Sequence, residues 1–248
     1  MRSIQIVLSP AAGKVLIAKA LAQREDVKKA LSEHTVVLIR GTTNAYLAKE
    51  LLALIGEDFD MRGFFRGVVK SPQAKLSVKP QEYDVVIRQG KLLQGEDIYS
   101  IKDSLGAEDM IFKGANAVYL PTRKAGVLLG NPTTGTMAAV QEAHLGRRTA
   151  VIHPVGVEKR VEEPVEVLAD LINGSEDSGL RFYPSSGRAY TELDALQDLF
   201  GVTAHIISAG GVGGYEGCTY FQVQGSDEAL GEVKKCAASL SSTPPYEL

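Results

Sequence analysis

With 248 residues, 44% of them hydrophobic and 23% charged, the chain can bury a full core and has an ordinary globular composition. A net charge of −3, from 27 basic and 30 acidic residues, gives no reason to expect nucleic acid or an acidic membrane surface as a partner. Two cysteines, Cys218 and Cys236, make neither a disulfide framework nor a zinc pattern, and no apolar run reaches transmembrane length. The N-terminal apolar run is too short for a signal peptide, so a cytoplasmic protein with two reduced thiols is expected, and Asn173-Gly174-Ser175 reads as a chance glycosylation pattern.

Strand-like and helix-like segments alternate along the chain. Residues 4–8 (IQIVL) read as a strand and 13–31 as a helix, with Leu16, Ala20, Val27 and Leu31 on one face. Residues 36–39 (VVLI) read as a strand buried on both sides, and the helix after it carries Leu47, Leu51 and Ile55 at four-residue spacing. Residues 64–93 interrupt the rhythm. "FFRGVVK" and "DVVIRQGKLLQG" read as strands, the second turning at Gln89-Gly90, joined by a polar stretch with Pro72 and Pro80.

The alternation then resumes with "DMIFKGANAVYL", a strand at 126–130, a helix at 136–145, a strand at 149–156 and a helix at 164–172. Strands separated by helices of this length predict an α/β fold, a mostly parallel Rossmann-like sheet with helices on both faces. "NGSEDSG" is the best linker candidate. The expected organisation is therefore a main domain over 1–173, with a β excursion near 64–93, and a small α+β subdomain or lid of ferredoxin or ACT-like shape over 180–248. Thr191 and Asp194 have capping-box spacing before a helix ending near Phe200.

Two turns carry the strongest chemical signal. After the strand at 36–39 come Gly41, Thr42, Thr43 and Asn44, leading straight into a helix. After the strand at 126–130 come Asn131, Thr133, Thr134, Gly135 and Thr136, again leading into a helix. At the carboxyl end of a parallel strand, free N–H groups and the positive end of a helix favour an anion, and hydroxyls add donors. The plain alternative is that Thr42 or Thr43, and Thr134, only cap their helices. Neither turn is a P-loop; "SPAAGK" ends in Gly13-Lys14 but lacks the first glycine and the Ser/Thr. "SAGGVGGYEGC" misses the dinucleotide spacing and lies between two strands, so it reads as a flexible hairpin loop that folds over a ligand or a partner.

Lys113, Gly114 and Asn116 form a third cluster, with the lysine placed to reach an anion or oxyanion. "HPVGVEKRV" supplies His153, Glu158, Lys159 and Arg160 at another strand end. Glu158 is the first choice for a general base, with Glu142 behind it. His34, His144 and His205 have no partners at ligand spacing, so no metal site is expected, and no nucleotide-cofactor fingerprint sits in a strand-to-helix turn.

These segments resemble a superfamily. "VVLIRGTTNAYLAKELL" is similar to the phosphate-binding turn of ribose-5-phosphate isomerases and glucosamine-6-phosphate deaminases. "MIFKGANAV" resembles the isomerases' Leu-Ile-Lys-Gly segment, with Lys113 on the lysine, and "KGANAV" and "VGVEKRV" resemble the lactate-utilisation (LUD) proteins. Scattered patches over residues 30–162 thus imply the NagB/RpiA/CoA-transferase-like fold. Departures stand beside them: "DSLGAED" places Asp103 and Asp109 off the isomerase spacing, and Thr122-Arg123-Lys124 stands where the isomerases carry their catalytic glutamate. The deaminases' acid and histidine pattern is absent too.

The expectation is a chain that binds a small phosphorylated, carboxylated or CoA-type metabolite at the strand ends. It is either an isomerase or transferase of altered chemistry or a non-catalytic sensor of the same fold, with no cofactor and as a homodimer or higher homo-oligomer.

Overall fold

The computed structural model describes residues 2–67, 75–176 and 179–247. Strand β1 (Arg2–Leu8) leads into helix α1 (Pro10–Gln23), whose start is set by Pro10 in the first turn and by the Ser9 side chain accepting from Ala12 N–H at 3.2 Å. The single helix expected over 13–31 is two. Arg24 adopts an extended backbone, and α2 (Glu25–Glu33) begins with Glu25 and Asp26 at its positive end. The Arg24 guanidinium holds the break, donating to both carboxylate oxygens of Asp26 and to Asp198 at 2.9 Å.

Strand β2 (Thr35–Leu38) runs into α3 (Thr42–Leu54). The hairpin of β3 (Val85–Arg88) and β4 (Lys91–Leu93) turns at Gln89-Gly90, both at positive φ (50° and 71°), the geometry that matches strand twist. Of the strand expected at 64–70, residues 64–67 are irregular, while 68–70, like Pro72, lie outside the described residues. There follow α4 (Ile98–Ile101), β5 (Met110–Phe112), β6 (Ala117–Tyr119), β7 (Lys124–Leu129), α5 (Thr136–Gln141), β8 (Ala150–Pro154) and α6 (Val165–Asn173). The helix expected over 136–145 keeps its α form only to Gln141 and then widens through Glu142–Gly146. The chain finishes with β9 (Arg181–Tyr190), α7 (Glu192–Phe200), β10 (Thr203–Ala209), β11 (Thr219–Gly225) and α8 (Asp227–Leu240).

The protein is α/β, built on an eight-stranded mixed sheet of order β4-β3-β2-β5-β8-β9-β7-β6. Its centre is parallel, β2 with β5, β5 with β8 and β8 with β9, while β3, β4, β6 and β7 run antiparallel to their neighbours. Alternate residues of β2 serve opposite faces, as a doubly covered strand must. Val36 and Leu38 pack with α1, α2 and α3, whereas Val37 and Ile39 pack with Ile98, Met137 and Val140 from α4 and α5.

A second, antiparallel sheet has the order β1-β11-β10, so it draws strands from both ends of the chain. Helix α1 lies against α3, α7 and α8, and a single apolar cluster joins Leu16 and Leu21 of α1 to Leu47 and Leu51 of α3 and to Phe221 and Val233 beyond. Thr191 and Asp194 form the expected capping box at the start of α7. The Asn173 side chain is fully used, its amide donating to Phe182 O at 2.7 Å and its carbonyl accepting from Phe182 N–H at 2.9 Å.

Candidate functional site

The parallel core brings the carboxyl ends of β2, β5, β8 and β9 to one edge, and the Gly41 turn leaves that edge. Gly41 caps α3 with no side-chain hydrogen bond, so neither Thr42 nor Thr43 is the cap, and the start of the helix is left without a side-chain cap. Asn44 does the structural work there. Its side chain is completely buried, and its Nδ2 donates to Ile39 O at 2.8 Å and to Phe112 O at 2.9 Å, tying the ends of β2 and β5 together. Its Oδ1 is buried without a hydrogen-bond partner.

Lysines from three parts of the chain meet at this edge. Lys14 of α1 donates to Thr42 Oγ1 at 3.2 Å, which sets its ammonium at the start of α3. Lys159, just past β8, donates to Ala115 O at 3.0 Å, linking the segments that follow β5 and β8. Lys113 follows β5. Burial pushes the Lys113 amine down to about 8, with Arg66 and Lys159 adding to the effect and Asp84 opposing it. The Lys14 amine is also lowered, by burial first and then by Lys159, against the pull of Glu158 and Glu192. Lys159 thus disfavours the charge on both Lys14 and Lys113, in each case as a lesser cause than burial.

The carboxylates of the site are all constrained. Asp84 is buried, accepts from Arg40 N–H at 3.0 Å and Ile98 N–H at 3.1 Å, and lies 3.4 Å from Arg40 Nε. Burial raises it to about 6. Glu192, the first residue of α7, is only 3% exposed; its Oε2 accepts from Val157 N–H at 2.9 Å, and a Cβ on Gly13 would fall 2.1 Å from its Oε1. Burial, then the neighbouring Glu158 carboxylate, pushes Glu192 up to about 8, against Val157 N–H and Lys159. Glu158 folds back on its own loop, its Oε2 only 1.9 Å from where a Cβ on Gly156 would stand. The Glu192 approach accounts for Gly13 inside a helix, since that carboxyl is buried and held by Val157 N–H.

The second Gly/Thr turn lies elsewhere. Strand β7 runs antiparallel to β9, with Leu129 opposite Arg181 at the start of β9, so the turn leaves the opposite edge of the sheet. Thr133 N–H and Oγ1 both bond Asn131 Oδ1, at 2.8 and 2.7 Å, and Thr134 N–H donates to Asn131 O at 3.0 Å. Asn131, Thr133, Thr134, Gly135 and Thr136 are therefore not brought to Gly41, Thr42, Thr43 and Asn44. Asn116 is taken up by the β6–β7 hairpin, its Oδ1 accepting from Leu128 N–H at 3.0 Å, while Gly114 stays beside Lys113. Glu142 pairs with Lys102. Among the described residues, no group of three or more His, Cys, Asp or Glu is arranged to hold a metal ion.

His153 is fully buried beneath Lys113. Its Nδ1 lies 2.6 Å from Lys113 O, an acceptor, so the proton sits on Nδ1; Nε2 then accepts from Ser185 Oγ at 2.7 Å. Burial lowers the ring to about 3, so it is neutral. A depressed folded value means that its contribution is complete above the unfolded value of about 6.5 and is lost as pH falls toward 3. In urea unfolding at pH 7.5 and pH 5, His153→Asn is expected to be clearly less stable than wild type at the higher pH, with a smaller gap at the lower. An unchanged gap would mean that the histidine is not held neutral.

Between Glu158, Arg160 and Leu120 on one side and Glu216 and Cys218 of the β10–β11 loop on the other lies a cavity of about 740 Å³. That loop carries Gly217 against Pro10, at 3.0 Å for a built Cβ, so it closes over the start of α1. Compared with known proteins, the chain matches no protein-family model, no curated protein and no solved structure, so the reading of the site rests on its own geometry.

Lys14 and Glu192 are the members that sequence reasoning missed. In the sequence Lys14 reads only as the tail of an incomplete P-loop. One signal was available: a glycine inside a helix costs about 1 kcal/mol relative to alanine, and Gly13 marks a close approach by another group.

Proposed function

We propose that this protein binds a small anionic metabolite, phosphorylated or carboxylated, at the carboxyl ends of β2, β5, β8 and β9. The observation that carries this is the placing of Lys14, Lys113 and Lys159 about the uncapped start of α3, where burial first and the neighbouring Lys159 charge after it disfavour the charged forms of Lys14 and Lys113. An anion relieves that repulsion and gains charge-assisted hydrogen bonds. In this reading Lys113 is the group that meets an oxyanion, Glu158 is the candidate base, and the α+β unit of α7, α8 and the small sheet covers the ligand through the β10–β11 loop. The 740 Å³ cavity shares Glu158 with the site and gives room for the rest of a sugar phosphate or a small acid.

A thermal-shift panel of sulfate, phosphate, sugar phosphates, dicarboxylates and acyl-CoAs tests the reading. Ligand at 100 times its Kd stabilises by about 2.7 kcal/mol, so a Tm rise of several degrees is expected for at least one phosphorylated or carboxylated compound. A panel with no shift contradicts the reading. Turnover of the shifting compound, lost in Lys113→Met, is the outcome for an enzyme; binding with no turnover is the outcome for a sensor.

A further inference from the structure

Beyond the anion reading, and without needing it, we propose that the cavity between the loop after β8 and the β10–β11 loop is a site for an organic cation, a primary ammonium group on an apolar body. Three carboxylates line it, Glu158 and Glu162 from one side and Glu216 from the other, against one guanidinium, that of Arg160. None of the three forms an ion pair among the described residues, and the Glu158 and Glu162 side chains accept no hydrogen bond there either. Glu216 Oε2 accepts from Gly214 N–H at 2.9 Å, within its own loop. Arg160 is turned to its own loop as well, its Nη1 donating to Val157 O at 3.1 Å. Acids gathered round one cavity repel one another until a counter-charge sits between them, and the lining supplies only this one, tied to a carbonyl.

Thr219 marks the same cavity independently. It alternates with Tyr220 and Gln222 along β11, so it shares the buried side of that strand with Phe221 and Val223, and it is only 3% exposed. Its hydroxyl has no hydrogen-bond partner among the described residues, yet it is not one of the atoms sealed from solvent, so it opens on the cavity that the residue lines. A hydroxyl held open in this way is a ready acceptor for an incoming N–H donor.

The class of cation follows from the same surroundings. Among the described residues no group of three or more His, Cys, Asp or Glu is arranged to hold a metal ion, so these carboxylates stand too far apart to share one small ion. A volume of about 740 Å³ takes a body of many heavy atoms, and Leu120, Pro121 and Val161 give that body an apolar wall. A primary ammonium carries three donors, enough for the Thr219 hydroxyl and two carboxylates together, whereas a quaternary ammonium has none to offer.

Phenethylammonium is the probe, and phenethyl alcohol, of the same shape without the charge, is its control; both are titrated calorimetrically at pH 7 and fixed ionic strength. The wild type is expected to bind the ammonium about tenfold or more tighter than the alcohol. Glu216→Gln is expected to weaken the ammonium by about two- to fivefold and Arg160→Gln to tighten it by a similar factor, with the alcohol unmoved in both. Opposite signs at two residues of one lining are not what a loss of structure produces. Thr219→Val, which keeps the shape of the side chain, is expected to weaken the ammonium by about two- to tenfold while keeping wild-type stability in urea. Binding of neither compound, equal affinity for both, or an Arg160→Gln variant that binds the ammonium no tighter overturns the proposal. Neither probe carries an anionic group, so each of these results leaves the reading of the lysines at the start of α3 standing.

Discussion

Replacing Lys113 with methionine is expected to raise the Kd for sulfate by about 10- to 100-fold, measured by titration calorimetry at pH 7. Hydrogen bonds from a charged donor contribute about 1.5–3 kcal/mol, and each 1.4 kcal/mol is tenfold in affinity. Methionine keeps the length and apolar bulk of the stem, so the loss reads the ammonium and not the packing. Lys113 is protonated below about 8 and loses its charge above it, so the gap between the two proteins is expected to close as pH rises through that value. A variant that binds sulfate as tightly as wild type removes Lys113 from the site.

Asn44→Ala is expected to lower stability by about 2–4 kcal/mol, a Tm fall of about 5–15 °C for a chain of this size. Two buried hydrogen bonds go, and Ile39 O is left without the donor that Asn44 Nδ2 supplies. Phe112 O suffers less, because it also accepts from Ile39 N–H at 3.0 Å. Asn44→Asp is expected to cost more, since it aims a carboxylate at two carbonyl oxygens. A fall of under 1 kcal/mol by urea unfolding would show that β2 and β5 are not joined through this side chain.

The central sheet was legible because its strands announce themselves chemically. Val36, Val37, Leu38 and Ile39 form an unbroken β-branched and aliphatic run, and in the structure they divide between two apolar layers. The Gln89-Gly90 turn was legible through its glycine, since Gly90 takes a positive φ freely, and Gln89 adopts one beside it. Direction was not. An apolar run such as 126–130 reads the same whether it lies parallel or antiparallel to its neighbour, and the resemblance between its turn and Gly41–Asn44 was one of composition. The antiparallel pairing of β7 with β9 puts the two turns at opposite edges.

The site was half legible. Thr42, Lys113 and Glu158 follow apolar strands, where a local pattern can flag them. Lys14 and Glu192 sit on helices from opposite ends of the chain, joined only because α1 packs on both α3 and α7. No spacing rule reaches that far. His153 was noticed for its chemistry, yet the fold uses it as a neutral strut between Lys113 O and Ser185.

The account stands or falls on where an anion binds. The direct measurement is a crystal structure of the protein soaked in tungstate, located by its anomalous signal. The predicted result is a peak bounded by Lys14, Lys113 and Lys159 at the first turn of α3, absent from crystals of Lys113→Met. A peak confined to the Asn131–Thr136 turn, or none on the carboxyl edge of the parallel strands, would contradict it.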